Sequence, residues 1–242
     1  MSALGHYLEE EGIATAAIAL IRPQAENTRP PRALWVPFEL GRPFGPPGDP
    51  AFQKRVIRAA LRMLVEDGEP VRIIDFPDDD PRAQPDPAWR PPFIPATVVH
   101  GSDESLASRL EAEILLLLGA HQRWMAQYGR STVGLSGLTV GEVARHVADW
   151  LGGKAPPSPR DGLSAPLMLR FAVDDLKAYC LEAACAGTAK PSSRQLSDWL
   201  WNETATGAAL YALRNTLLEQ EDERLRLIVA NFIVPAARLR TS

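Results

Sequence analysis

The segment from Pro30 to Gln53 constrains the fold of this chain most strongly, because it predicts a short strand, a rigid loop and the start of a helix. Residues 33–36 are apolar and lie next to prolines, a pattern typical of a brief buried strand. Asp49 followed by Pro50 predicts a helix N-cap with proline at the first helical position. A strand-to-helix loop in an open α/β sheet lies at the carboxyl edge, where ligands usually bind. The loop is therefore the first place to expect a binding site.

The first hundred residues alternate between helical and strand patterns. The predicted elements are helices at 3–11 and 50–66 and strands at 13–21, 33–36 and 71–76. This alternation predicts a parallel, doubly wound α/β domain over residues 1–100, with a proline-rich linker at 77–101. A doubly wound unit normally opens with a strand, whereas this sequence opens with a helix. Either that strand has been lost or a second polypeptide supplies it.

Residues 102–242 change to helical patterns and are expected to form an α-helical domain, either a bundle or a cap on the α/β domain. Ser102 to Ser105 offer a cap for a helix that continues toward Tyr128. Thr139 and Glu142 form a capping box for the next helix. Further helices are predicted at about 166–186, 192–218 with a break near Thr204, and 222–232.

Composition excludes several classes of protein. The chain has 242 residues, 45% of them hydrophobic, which permits a real core. A net charge of -4 without a basic stripe argues against nucleic-acid binding. Two cysteines do not make a disulfide framework, and no apolar run reaches the roughly 20 residues that span a bilayer. We expect no membrane segment and a location in a reducing, bacterial-type cytoplasm.

Four short motifs in the first third of the chain carry a resemblance to a known family. They are Gly12-Ile13-Ala14-Thr15, Pro31-Arg32-Ala33-Leu34, Phe38-Glu39-Leu40-Gly41-Arg42-Pro43, and Gly45-Pro46-Pro47-Gly48-Asp49 through Gln53. Together they resemble the C-terminal half of the selenoprotein-B-type subunit of the glycine/sarcosine/betaine/D-proline reductase family. In that family a redox-active selenocysteine or cysteine lies just before the helix that leads into the Gly-Ile-x-Thr strand. Here no cysteine precedes Cys180.

The resemblance implies a subunit or divergent member of a reductase-like oxidoreductase that acts on a small amine or amino-acid-like substrate. The thiol or selenol would then come from another chain. The alternative is a non-catalytic binding or assembly protein that retains the reductase fold. Both hypotheses predict a protein partner or a homo-oligomer, and neither calls for a cofactor or a metal.

Two groups of residues are candidates for ligand binding. In the loop, backbone N–H groups, an arginine and the N-terminus of the following helix would hold an anionic group; these residues are Gly41, Arg42, Gly45, Asp49 and Gln53. A purely structural loop is the alternative. On the predicted helix near residue 200, Trp199, Asn202 and Glu203 can share a face and recognise an amine through ring and carboxylate, or anchor the helical half to the α/β half.

Each of the other groups of reactive side chains has both a functional and a structural interpretation. Glu142 and His146 share a helix face, and Glu113 and His121 can approach them to form a bundle metal site. The alternative is that these residues cap helices or lie on the surface with their polar groups satisfied. A ferritin-like centre uses Glu-x-x-His twice, whereas this chain offers one Glu-x-x-x-His. Cys180 and Cys185 are either both packed thiols, or one of them is a catalytic thiol. No catalytic residue is assigned.

Overall fold

The chain has mixed α/β architecture, as predicted, with a small parallel sheet and many helices. The computed structural model describes residues 2–66, 68, 71–101 and 104–239. They group into two compact units, Met1–Gln84 and Pro85–Ser242. Each unit has a hydrophobic cluster of its own.

Among its described residues, the first unit holds the sheet and three α-helices. In chain order its elements are α1 (Ser2–Glu10), β1 (Ala17–Ala19), α2 (Arg22–Thr28), β2 (Arg32–Trp35), α3 (Pro50–Arg62), β3 (Arg72–Asp75) and a 3-10 turn at Pro81–Ala83. The short helix α2 was not predicted from the sequence. The strands are three or four residues long, so β1 covers only three residues of the apolar run 13–21 that was expected to form it.

The sheet is parallel, with the strand order β1-β2-β3. A doubly wound sheet reverses its strand order at a switch point. The three described strands follow one another without such a reversal, so the doubly wound arrangement is not confirmed and the carboxyl edge of this sheet has no switch point. Among the described strands, β1 lies at one end of the order and pairs with β2 alone.

The core of the first unit follows the two-residue period of the strands. Leu34 and Val36 pack with three phenylalanines, Phe38, Phe52 and Phe76. The ring centroids of these phenylalanines are 5.5 to 6.0 Å apart with tilted or edge-on planes, a favourable arrangement for aromatic rings. Because side chains alternate across a strand, the neighbouring Trp35 lies on the opposite face, where the Arg22 guanidinium is 6.0 Å from its ring.

The second unit is helical. Its elements are α4 (Ala96–His100), α5 (Leu106–Tyr128), α6 (Val140–Leu151), α7 (Ala165–Ala184), α8 (Ser193–Asn202), α9 (Ala205–Leu217), α10 (Glu223–Ile228), a π-helical turn at Val229–Ile233 and α11 (Ala236–Leu239). The predicted break near Thr204 is confirmed, since α8 ends at Asn202 and Thr204 caps α9. Ser105 caps α5, while Ser102 and Asp103 lie outside the described residues.

Much of the proline-rich stretch before α5 groups with the helices. The indole N–H of Trp89 donates to the carbonyl of Ala184 at 3.1 Å. The backbone N–H of Asp86 donates to the side chain of Gln195 at 2.8 Å. These contacts explain why the division between the two compact units falls after Gln84.

Within the described part of the chain, no helix is both long and apolar enough to cross a membrane.

Candidate functional site

The predicted loop is built as a rigid turn against α3. Gly41, Gly45 and Gly48 all have positive φ angles, between 78° and 88°. The carboxylate of Asp49 accepts the backbone N–H of Phe52 at 2.9 Å, which confirms the predicted N-cap. The side-chain amide of Gln53 donates to the carbonyl of Pro46 at 2.9 Å. Asp49 and Gln53 therefore hold the loop, and both side chains are engaged within it.

Arg42 is the remaining polar side chain of the predicted loop site. Its guanidinium lies 3.7 Å from the Glu39 carboxylate, and both side chains are more than 40% exposed. A loose, solvated pair of this kind contributes little to stability, so Arg42 is able to exchange Glu39 for an anionic group on a ligand.

The group near residue 200 does not share one exposed surface. Trp199 is only 2% exposed, whereas Asn202 and Glu203 are exposed. Trp199 packs in the core of the helical unit, and its carbonyl accepts the backbone N–H of Glu203 at the end of α8. The start of α9 lies close to the end of α8 at Gly207, because a Cβ there would meet the carbonyl oxygen of Leu200. These residues lie in the second unit and the loop lies in the first.

The buried carboxylates of the helical unit cap backbone groups. Asp175 accepts the backbone N–H groups of Gly134, Leu135 and Ser136 at 2.8 to 2.9 Å. Two turns along α7, Glu182 accepts two bonds from Thr132, at 2.7 and 2.8 Å, and one from the Ser131 hydroxyl. These two side chains fix the connection between α5 and α6 onto α7.

Each residue of the hypothetical bundle metal site has another role, and Glu113 accepts backbone N–H groups at the start of α9. Glu142 forms the predicted capping box with Thr139. The ring of His121 is 2.9 Å from the carboxylate of Glu182. Trp150 donates its indole N–H to His146 at 3.3 Å, and burial lowers the pKa of that imidazole. Within the described residues, no three carboxylate, imidazole or thiol side chains are grouped to hold a metal ion. The structure therefore favours the capping interpretation of these residues.

Neither cysteine is poised to act as a nucleophile. Cys180 is fully buried, its thiol lies 3.5 Å from the Thr206 hydroxyl, and burial raises its pKa well above the ordinary range. Burial also raises the pKa of the half-buried Cys185, to about 11. Because the thiolate is the reactive form, both behave as packed thiols.

The sequence pattern did not predict a groove that runs along β1 in the first unit. It encloses about 720 Å³, which lies in the range of small-ligand sites. Its walls come from β1 and the residues that follow it, from α1 and α2, and from the start of the loop; the polar side chains among them are His6, Gln24 and Thr28. Two alanines at alternate positions of the strand, Ala17 and Ala19, leave the space, and that spacing of small residues is the one signal in the sequence.

The groove follows the open edge of the sheet. Five consecutive residues, 17–21, line it, whereas a cavity over one face would meet only alternate residues of a strand. The carbonyl of Ala19 accepts the backbone N–H of Val36 at 2.9 Å, so Ala19 turns its hydrogen-bonding groups toward β2. By the alternation of a parallel ladder, Ile18 turns its N–H and C=O away from β2, toward the open edge. Leu40 also lines the groove, so the predicted loop borders it.

No family model matches this chain, and neither does any curated protein or solved structure.

Proposed function

We propose that this chain is a binding or assembly subunit whose first unit accepts an extended, apolar segment of a partner chain along the open edge of β1. The observation that carries the proposal is the groove itself, which offers backbone hydrogen-bonding groups of Ile18 beside apolar walls. An added strand obtains affinity from such main-chain groups and selectivity from the flanking side-chain pockets.

The partner segment would add a strand beside β1, which lies at one end of the described sheet. An unpaired strand edge can hydrogen-bond to a strand from another chain unless it is covered or charged. Here β1 and the residues beside it are apolar from Ile13 to Ile21, except for Thr15. An extended apolar peptide complements this edge better than a charged one.

The resemblance to the glycine/betaine/D-proline reductase family extends the proposal. As a reductase subunit, the chain would hold a substrate while its partner carries the thiol or selenol. The raised pKa values of Cys180 and Cys185 support this division of labour, because neither thiol of this chain is suited to the redox step.

The test begins with native mass spectrometry of the complex from its own cells, followed by hydrogen exchange on the reconstituted complex. We expect slower exchange at the Ile18 amide when the partner is bound. Ala19→Leu fills the groove and should weaken the complex about tenfold or more. The matched control is Ala51→Leu, an exposed position on α3 that does not line the groove.

A complex whose formation leaves Ile18 unprotected and tolerates Ala19→Leu would contradict the proposal. If a free amino acid or amine slows exchange at the Ile18 amide without any partner chain, the result favours the small-ligand alternative. In that alternative an amino acid lies at the Leu40 end of the groove with its carboxylate on Arg42, and Arg42→Gln should abolish its binding.

A further inference from the structure

The exposed side of α3 combines basic and apolar residues. Lys54, Arg58 and Arg62 follow one another at intervals of four residues, so they form a line along the helix. Ile57 and Leu61 lie beside them and are 40% and 55% exposed. We call these five residues the basic face of α3. Helix α3 contains no acidic residue.

The cations of this face have no counter-charge within the first unit as described. The fourth cation of the helix, Arg55, pairs with Asp78 at 2.9 Å. Among the described residues, Lys54, Arg58 and Arg62 take part in no ion pair. Within the described residues, the face therefore presents cations without ion pairs next to exposed apolar surface.

The exposed side of α1 has the opposite character. Leu4 and Tyr7 are 56% and 67% exposed, and they are one helical turn apart. Glu10, at the end of α1, and Glu11, in the turn that follows, are exposed on the same side. We call these four residues the acidic face of α1. In the described ranges neither of the two glutamates forms an ion pair.

We propose that the acidic face of α1 in one copy of the chain docks on the basic face of α3 in a second copy. Each face has two exposed apolar residues. The charges beside them are negative on α1 and positive on α3, so the two faces are complementary. A single chain carries both faces, and a two-fold axis that brings each acidic face onto the basic face of the other copy makes the contact twice and closes a dimer. The apolar pairs supply buried area, and the charges select the register and speed association.

The test is a charge exchange on the full chain, followed by sedimentation at low and high salt. We expect wild type to dimerise and its dissociation constant to rise with salt concentration. Arg58→Glu with Arg62→Glu, and separately Glu10→Lys with Glu11→Lys, should each weaken self-association about tenfold or more, because like charges then face each other. Double reversal of Arg224 and Arg226 to Glu, on the exposed side of α10, is the matched control and should leave the dimer intact.

A mixture of the two reversed variants gives the decisive result. The first variant has acidic charge on both faces and the second has basic charge on both, so each should fail alone while the mixture forms a heterodimer. Circular dichroism of each variant checks that it is folded. The proposal is wrong if the wild-type chain stays monomeric at every concentration. That holds even if a different acidic protein or a nucleic acid binds α3. A mixture of folded variants that does not associate would also overturn the proposal.

Discussion

The carboxylate of Glu113 accepts two hydrogen bonds from Thr206, one from the backbone N–H at 3.0 Å and one from the hydroxyl at 2.6 Å. It also accepts the backbone N–H of Ala205 at 2.6 Å. Glu113 lies in the middle of α5 and is fully buried, and burial raises its pKa. A side chain far away in the sequence therefore satisfies the donors at the start of α9, where the helix dipole also favours negative charge.

Replacing Glu113 by alanine should destabilise the protein by about 3–5 kcal/mol, because three buried donors lose their acceptor. Urea denaturation measures the change. Glu111→Ala, two residues away on α5 and only partly buried, is the control and should change stability by about 0.5 kcal/mol or less. Equal losses for the two variants would show that Glu113 does not cap α9.

The contribution of Glu182 should disappear in acid. Burial raises the pKa of this carboxyl, but hydrogen bonds from Ser131, Thr132 and His121 outweigh burial and bring its pKa below the ordinary 4.5. The folded state therefore favours the ionised form, and the resulting stability is complete above about pH 4.5 and is lost as pH falls through the lower, folded-state pKa. The difference in unfolding free energy between wild type and Glu182→Gln should narrow over that acidic range. A difference that widened in acid would contradict this assignment.

Gly45 and Gly41 separate two effects of adding a side chain to the loop. Both have φ angles near 90°, at 86° and 88°, so alanine is strained at either position. A Cβ at Gly45 would also lie 2.5 Å from a ring carbon of Phe52, whereas at Gly41 it would meet open space. We expect Gly41→Ala to cost about 1 kcal/mol and Gly45→Ala about 2–4 kcal/mol by thermal unfolding. Equal costs would mean that Phe52 moves aside freely.

Both thiols should resist alkylation in the folded protein. With a pKa of about 11, Cys185 is ionised in roughly one molecule in a thousand at pH 8. Iodoacetamide labelling followed by peptide mass spectrometry should show slow reaction at Cys185 and slower reaction at the buried Cys180. Unfolding in urea should remove the protection of both. Rapid labelling of either cysteine in the native state would reopen the hypothesis of a catalytic thiol.

The sequence predicted the elements of the fold better than their arrangement. The N-cap at Asp49, the capping box at Thr139 and the break before α9 were predicted correctly, because caps act on backbone groups within a few residues. The doubly wound topology was not confirmed, because strand order depends on which edges pair in three dimensions.

The candidate site shows the same limit. The positive φ angles of the loop glycines could be predicted, since glycine tolerates them best. That Trp199 is buried while Asn202 is exposed could not be predicted, because helical spacing places residues on a face without showing what covers it. The groove was missed for a related reason, since its walls come from residues as far apart as Ala3 and Leu40.

The sequence by itself therefore determined the N-caps of α3 and α6, the break before α9, the need for glycine in the loop, and a supply of apolar residues sufficient for a core. Tertiary structure decided that Glu113 and Glu182 cap distant backbone groups, that burial raises the pKa of both thiols, and that, among the described strands, β1 pairs along one edge. The physical reason is the separation along the chain between the residues that determine each property. Caps and turns depend on torsions and hydrogen bonds between near neighbours, whereas burial, pKa and open edges depend on chain segments that only folding brings together.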